Sequence, residues 1–257
     1  MTDDVTFSGE RLHAGSQLFA VDLARHQAAY ELARARLPSS RVLDLGCGSG
    51  HGTAILSRSH PFVVGLDRVQ PDRASRAGSG RFVRAKLERL PFARRSFGLI
   101  VSFQVIEHLE DPTDYLDAIA ELLAPGGEAL ITTPNSLMSD HVNPYHVHEY
   151  RADELAARLR RRFASVELNG IGASEPVRRH LEQRSQRIRR IMRLDPMHLR
   201  DRVPRPVVEW LFARFALLVR RQTQASDGTP DATWRDFPVG PADARCLDLL
   251  AICSNPI

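Results

Sequence analysis

The chain has 257 residues, of which 43% are hydrophobic and 26% charged, enough for one well-packed domain with an elaboration and short for two independent ones. No apolar run reaches the roughly 18 to 20 residues of a membrane span, and three widely spaced cysteines, Cys47, Cys246 and Cys253, offer neither a disulfide framework nor zinc spacing. The net charge is only +4, too modest to argue for a nucleic-acid partner.

The polar, acidic opening Met1 to Glu10 lacks the basic-then-apolar layout of a signal peptide. Together with the cysteine pattern it predicts a cytoplasmic protein. Helical spacing runs from Leu18 to Leu37, with Val21, Ala24, Ala28, Leu32 and Ala35 available for one face, and Pro38-Ser39-Ser40 ends it. Short apolar runs follow at Arg41–Leu45, Phe62–Asp67, Leu99–Phe103 and Glu128–Thr133. Helix-like segments separate them. One is Pro112 to Leu123, where Asp111 suits a cap and proline the first turn. This alternation predicts an α/β fold, a parallel sheet covered by helices on both faces. In such sheets ligands bind at the carboxyl ends of the strands.

A helix over Asp153 to Arg162 and a strand over Ala164 to Ile171 come next. Ser174 to Gly240 differs in character. Between Arg178 and Arg221 stand 13 arginines against four acids. The apolar stretch Val207 to Leu218 carries Trp210, Phe212 and Phe215, and Gln222 to Thr229 reads as a loop. A strand then returns at Cys246 to Cys253. The expected organisation is a helical lead-in over 1–40, a core over 41–173 and 241–257, and a helical insertion over 174–240.

The most informative stretch is Asp44-Leu45-Gly46-Cys47-Gly48-Ser49-Gly50. A buried strand runs directly into a loop with glycine at every second position, which allows tight turning and close approach to a ligand. A dinucleotide fingerprint would place its third glycine at His51. A carboxylate at Asp44 would repel a pyrophosphate and attract a ligand that bears an ammonium group. S-adenosylmethionine is such a ligand. Asp67, at the end of the second strand, has the two carboxylate oxygens that can accept both hydroxyls of a ribose.

These motifs resemble those of the class I, Rossmann-like, S-adenosylmethionine-dependent methyltransferases. Asp44 to Gly50 is similar to their first motif. Leu90-Pro91-Phe92 with Ser96 to Ile100, Val105-Ile106-Glu107-His108-Leu109-Glu110-Asp111-Pro112, and Leu123-Ala124-Pro125-Gly126-Gly127 resemble their later motifs in the same order. Asn143-Pro144-Tyr145-His146-Val147-His148-Glu149-Tyr150 resembles the NPYHVREF segment of bacterial methyltransferases associated with cell-surface glycans or secondary metabolites, and Gly9-Glu10-Arg11 resembles their start. The resemblance implies a seven-stranded, mostly parallel sheet with an antiparallel last strand. It implies S-adenosylmethionine as cofactor, bound by Asp44, Gly46, Cys47, Gly48, Gly50, Asp67, Arg68, Leu87 and Gln104. It also implies a small-molecule or glycan acceptor methylated on oxygen. Lys86 departs from the pattern: an acid often stands there to accept the adenine amino group, and lysine, the only one in the chain, can only donate. Lys86 supports the alternative of a non-catalytic scaffold that keeps the fold. A nucleotide-dependent oxidoreductase is disfavoured by Asp44 and His51.

A sulfonium methyl is already activated, so transfer needs mainly in-line positioning, and a hydroxyl acceptor also benefits from a base. His108, His141, His146 and His148 lie in segments expected near the strand tips. His146 is the first candidate for base or orienting group, with His108 second. Glu107, His108, His146, His148 and Glu149 include metal-ligand types but match no recognised metal spacing, so no metal is expected. Cys47 reads as a small neighbour in the loop. For the arginine-rich insertion the favoured reading is a cap over the acceptor pocket. A homodimer surface and a peripheral membrane contact through 178–221 are the alternatives.

Overall fold

A computed structural model of the chain describes residues 19–192 and 230–257, save 77, 79, 88 and 89, together with residue 214. The similarity at Gly9-Glu10-Arg11, the apolar stretch Val207 to Leu218 apart from residue 214, and the loop Gln222 to Thr229 lie outside the described residues.

The sheet contains β1 (Val42–Leu45), β2 (Val63–Asp67), β3 (Arg81–Arg84), β4 (Phe97–Phe103), β5 (Leu123–Pro134), β6 (Phe163–Ile171), β7 (Val239–Pro241) and β8 (Asp248–Pro256). Their order is β3-β2-β1-β4-β5-β8-β6-β7. The strands from β3 to β5 pair in parallel, and β8 is antiparallel to both β5 and β6. The order reverses between β1 and β4, so the carboxyl ends of these strands flank the crevice where such folds bind ligands.

Among the described residues the sheet therefore has eight strands where seven were expected. The added one is β7, three residues paired antiparallel with the end of β6. Leu123 already pairs with Phe97, and the register shifts before Leu99 meets Glu128. The Pro125-Gly126-Gly127 turn is thereby absorbed as an irregularity inside β5, with Gly126 at φ +74°.

Helices cover both faces. Alternate residues along the central strands feed two cores. Leu43, Leu45, Ile100, Ile131 and Leu249 pack with Tyr115, Leu116 and Ile119 of α4 (Thr113–Leu122) and Leu155 of α5 (Ala152–Leu159). Val42, Leu99, Val101, Leu130 and Leu250 pack with Val21, Ala28 and Ala33 of α1 (Ala20–Arg34) and Ile55 and Leu56 of α2 (His51–Ser57). Val177 and Leu181 of α6 (Glu175–Met192) join the second core. Period-2 alternation with both faces buried explains why these strands read as unbroken apolar runs. Each fully buried Leu or Ile contributes about 1.5 to 3 kcal/mol. The helix α3 (Arg73–Arg76) follows β2. Among the described residues no helix is long and apolar enough to cross a membrane.

Candidate active site

β1 delivers the chain into the glycine loop, whose shape is held from three sides. Gly46 has φ +82°, and a Cβ there would lie 2.4 Å from the Val105 side chain, so no other residue fits between β1 and the β4 tip. The amide of Gly48 donates to Asp67 Oδ2 at 2.8 Å, and that of Val69 donates to Oδ1 at 2.9 Å. Asp67 thus ties β2 to the loop while each oxygen keeps a further lone pair.

Asp44 does not face the ligand as expected. It is fully buried, and its oxygens accept from the hydroxyls of Tyr30 at 3.1 Å and Thr53 at 2.6 Å. Burial pushes its carboxyl up to about 6, more than these two hydrogen bonds lower it. The carboxylate is enclosed by α1 and α2, where it anchors the loop from below. Gly50 also stands off the cleft; it is the left-handed residue that starts α2.

A single cleft of about 1210 Å³ opens above the loop. That exceeds the upper end of the usual range of roughly 300 to 1,000 Å³ for one ligand, so it has room for two. Gly46, Cys47, Gly48, Asp67, Arg68, Leu87 and Gln104 all border it. Gln104, at the end of β4, has φ +58°, and its amide donates to the Thr132 carbonyl at 3.0 Å. Non-glycine residues in this conformation gather at binding sites. Burial, with the charges of Asp44 and Asp67, pushes the Cys47 thiol far above its usual range, so it is no nucleophile. Lys86 is exposed at the rim.

His51 was singled out only as the wrong residue for a dinucleotide loop. It borders the cleft, and its Nε2 is buried without a partner among the described residues. Burial, with the nearby Arg58 charge, lowers its pKa, so the ring is neutral at pH 7. The free lone pairs of Asp67, the glycine-loop backbone and His51 are donors and acceptors of the kinds that S-adenosylmethionine can use.

The other end of the cleft holds His108 and His146, whose ring centroids are 5.3 Å apart. Their chain segments are stapled together. The Glu107 carbonyl accepts from the amides of Val147 at 2.8 Å and His148 at 3.1 Å. The His108 ring meets the Tyr145 carbonyl through Nδ1 at 2.9 Å, and the His146 ring meets Glu149 Oε1 through Nδ1 at 2.6 Å. Burial would raise Glu149, but hydrogen bonds from His146 and Ser139 and the nearby histidines hold it below its ordinary value. His141 Nδ1 stands 2.7 Å from the other Glu149 oxygen. His148 turns to Glu154 and is exposed. Glu107 is fully buried; burial pushes it up to about 7 despite His108 and His146.

The far wall comes from α1 and α6. Arg25 bridges to the buried Asp248, and Arg184 pairs with Asp22 at 3.1 Å. His26 is pushed down to about 4 by burial and by the Arg25 charge.

The model of a methyltransferase domain family matches residues 21–187. A probable S-adenosylmethionine-dependent methyltransferase of Mycobacterium tuberculosis is 31% identical over 163 residues, 60% of each chain, so the match spans less than two thirds of that relative. One of Mycolicibacterium smegmatis is 32% identical over 189 residues, 67% of this chain and 72% of the relative. The solved structure of a possible histamine N-methyltransferase from Thermotoga maritima superposes with a TM-score of 0.56 over 93% of this chain and 92% of its own, at 12% identity, a likeness of fold alone. On the strength of the matched span and the smegmatis relative, the chain belongs to the methyltransferase domain family.

Proposed function

We propose that the chain transfers a methyl group from S-adenosylmethionine to a hydroxyl oxygen of a small molecule, with a sugar, glycolipid or secondary metabolite as the acceptor class. One observation carries the reading: a single cleft joins the glycine loop and Asp67 to the His108–His146 pair. When bound, S-adenosylmethionine supplies an activated methyl whose bond to sulfur breaks with the electron pair passing to sulfur.

The residues divide the remaining work. Asp67 receives the ribose, the backbone of Gly46, Cys47 and Gly48 lies along the amino-acid part, and Gln104 stands beside the methionine chain. Leu87 and Arg68 border the adenine. The ionised Glu149 and the Tyr145 carbonyl can only accept, so Nδ1 of each histidine is the protonated nitrogen and the lone pair lies on Nε2. His146, aided by His108, receives or orients the acceptor hydroxyl. α6 adds Leu181, Arg184, Ser185 and Ile188 to the cleft wall, which supports the insertion as an acceptor-side cap. The NPYHVREF-like segment that carries His146 supports the acceptor class.

The test is His146→Ala, assayed by S-adenosylhomocysteine release over a panel of hydroxylated acceptors. Turnover should fall by roughly 10² to 10⁴, the usual share of a positioned base. Affinity for S-adenosylhomocysteine should stay unchanged. Unaltered turnover would remove His146 from the site.

A further inference from the structure

Glu107, His108 and His146 each bring one ligand atom within 4.8 Å of the other two. Glu107 and His108 are adjacent at the β4 tip, while His146 arrives from a loop 38 positions on, so no local spacing marks the set. The staple between the Glu107 carbonyl and the Val147 and His148 amides closes that distance.

Three features point to an occupant. Glu107 Oε2 accepts from Thr133 Oγ1 at 3.1 Å, but Oε1 is buried with no partner among the described residues. A carboxylate oxygen in that position is costly unless a proton or a cation meets it, and the open cleft beside two imidazoles suits a cation. Both histidines have Nδ1–H fixed by an acceptor, one a carboxylate and one a backbone carbonyl, which leaves the lone pair on Nε2. Such outer partners are what orient metal-bound imidazoles and raise their basicity. Finally, all three residues border the cleft, where a bound ion would keep open positions.

We propose that Glu107, His108 and His146 bind a divalent cation of the borderline class at the acceptor end of the cleft. Two imidazole nitrogens and one carboxylate oxygen suit zinc, iron(II) or cobalt(II) better than magnesium or calcium, which prefer all-oxygen sets. Its role toward the acceptor rests on the methyl-transfer reading above; the binding site itself does not. With the cation bound, His146 would serve as its ligand and not as a base, the acceptor hydroxyl would meet the cation, and its proton would pass to solvent water. The oxygen keeps the electron pair of the broken O–H bond and forms the new bond to the methyl carbon.

The test uses the full chain, stripped with chelator and titrated calorimetrically with zinc chloride. Cobalt(II) is a second probe, read by its visible absorption. Wild type, Glu107→Gln, His146→Ala and His148→Ala are compared, and each is also titrated with S-adenosylhomocysteine. The site predicts one zinc per chain in wild type and in His148→Ala. Affinity should weaken by about 10- to 100-fold or more in Glu107→Gln and His146→Ala, with loss of the cobalt bands. Should Glu107→Gln fail to fold, the partly exposed His146 position decides. No zinc binding by wild type, or equal binding by His146→Ala, overturns the proposal. Intact S-adenosylhomocysteine binding in either case shows that only the cation site has failed, and not the methyl-transfer reading.

Discussion

The Tyr30 hydroxyl donates to Asp44 Oδ1 at 3.1 Å, joining the first helix to the acid that opens the glycine loop. The lead-in helix is thus part of the site's foundation. Burial lifts Asp44 from its ordinary 3.8 to about 6 and raises Tyr30 as well, with Asp44 adding to the effect on Tyr30.

This lift has a sign that can be measured. Below pH 3.8 Asp44 is protonated folded or unfolded. Between 3.8 and about 6 the unfolded chain ionises first, so the folded state binds more protons and stability falls as pH rises. Above about 6 the contribution is flat. The drop is roughly 3 kcal/mol at most. Thermal unfolding of wild type and Asp44→Asn between pH 4 and 7 should show a decline in wild type that is shallower in the variant. Parallel curves would mean that Asp44 is ionised in the folded protein throughout.

Tyr30 also explains Gly52. A Cβ at Gly52 would fall 1.7 Å from Tyr30 Cζ, so the ring lies flat against bare backbone. Gly52→Ala should destabilise the fold by about 2 kcal/mol or more through overpacking. Adding Tyr30→Leu should recover part of that loss, giving a non-additive double-mutant cycle. Additive losses in chemical denaturation would show that the ring moves aside freely.

Asp248 is 2% exposed and holds Arg25 on the cleft wall. Asp248→Asn keeps the shape but leaves the guanidinium uncompensated. The expected cost is about 3 kcal/mol, seen as a lower urea midpoint with unchanged slope. Asp248→Asn combined with Arg25→Met should regain stability. No effect of the single variant would place the guanidinium in water.

The strands and the glycine loop were legible because their signals are local: unbroken apolar runs, each followed by an acid or a turn. Two edge strands were not. β3 is Arg-Phe-Val-Arg with both ends exposed, and β7 is three residues containing glycine and proline. Neither has enough burial to leave a pattern. The role of Asp44 was misread for a different reason. A carboxylate before a glycine loop looks the same whether it faces a ligand or two hydroxyls. Its partners, Tyr30 and Thr53, come from two separate helices. Asp67 stands at the end of β2 as its place in the sequence suggested. The convergence of Glu107 with His146 depends on a loop staple made by backbone atoms, which side-chain spacing does not record.

If this cleft binds S-adenosylmethionine through Asp67, removing that carboxylate must weaken binding. Calorimetric titration with S-adenosylhomocysteine of wild type and Asp67→Ala tests it most directly. Micromolar binding by wild type and about 100-fold weaker binding by the variant are expected, the scale of losing charge-assisted hydrogen bonds to two hydroxyls. No binding by a folded wild type, or equal binding by both proteins, would contradict it.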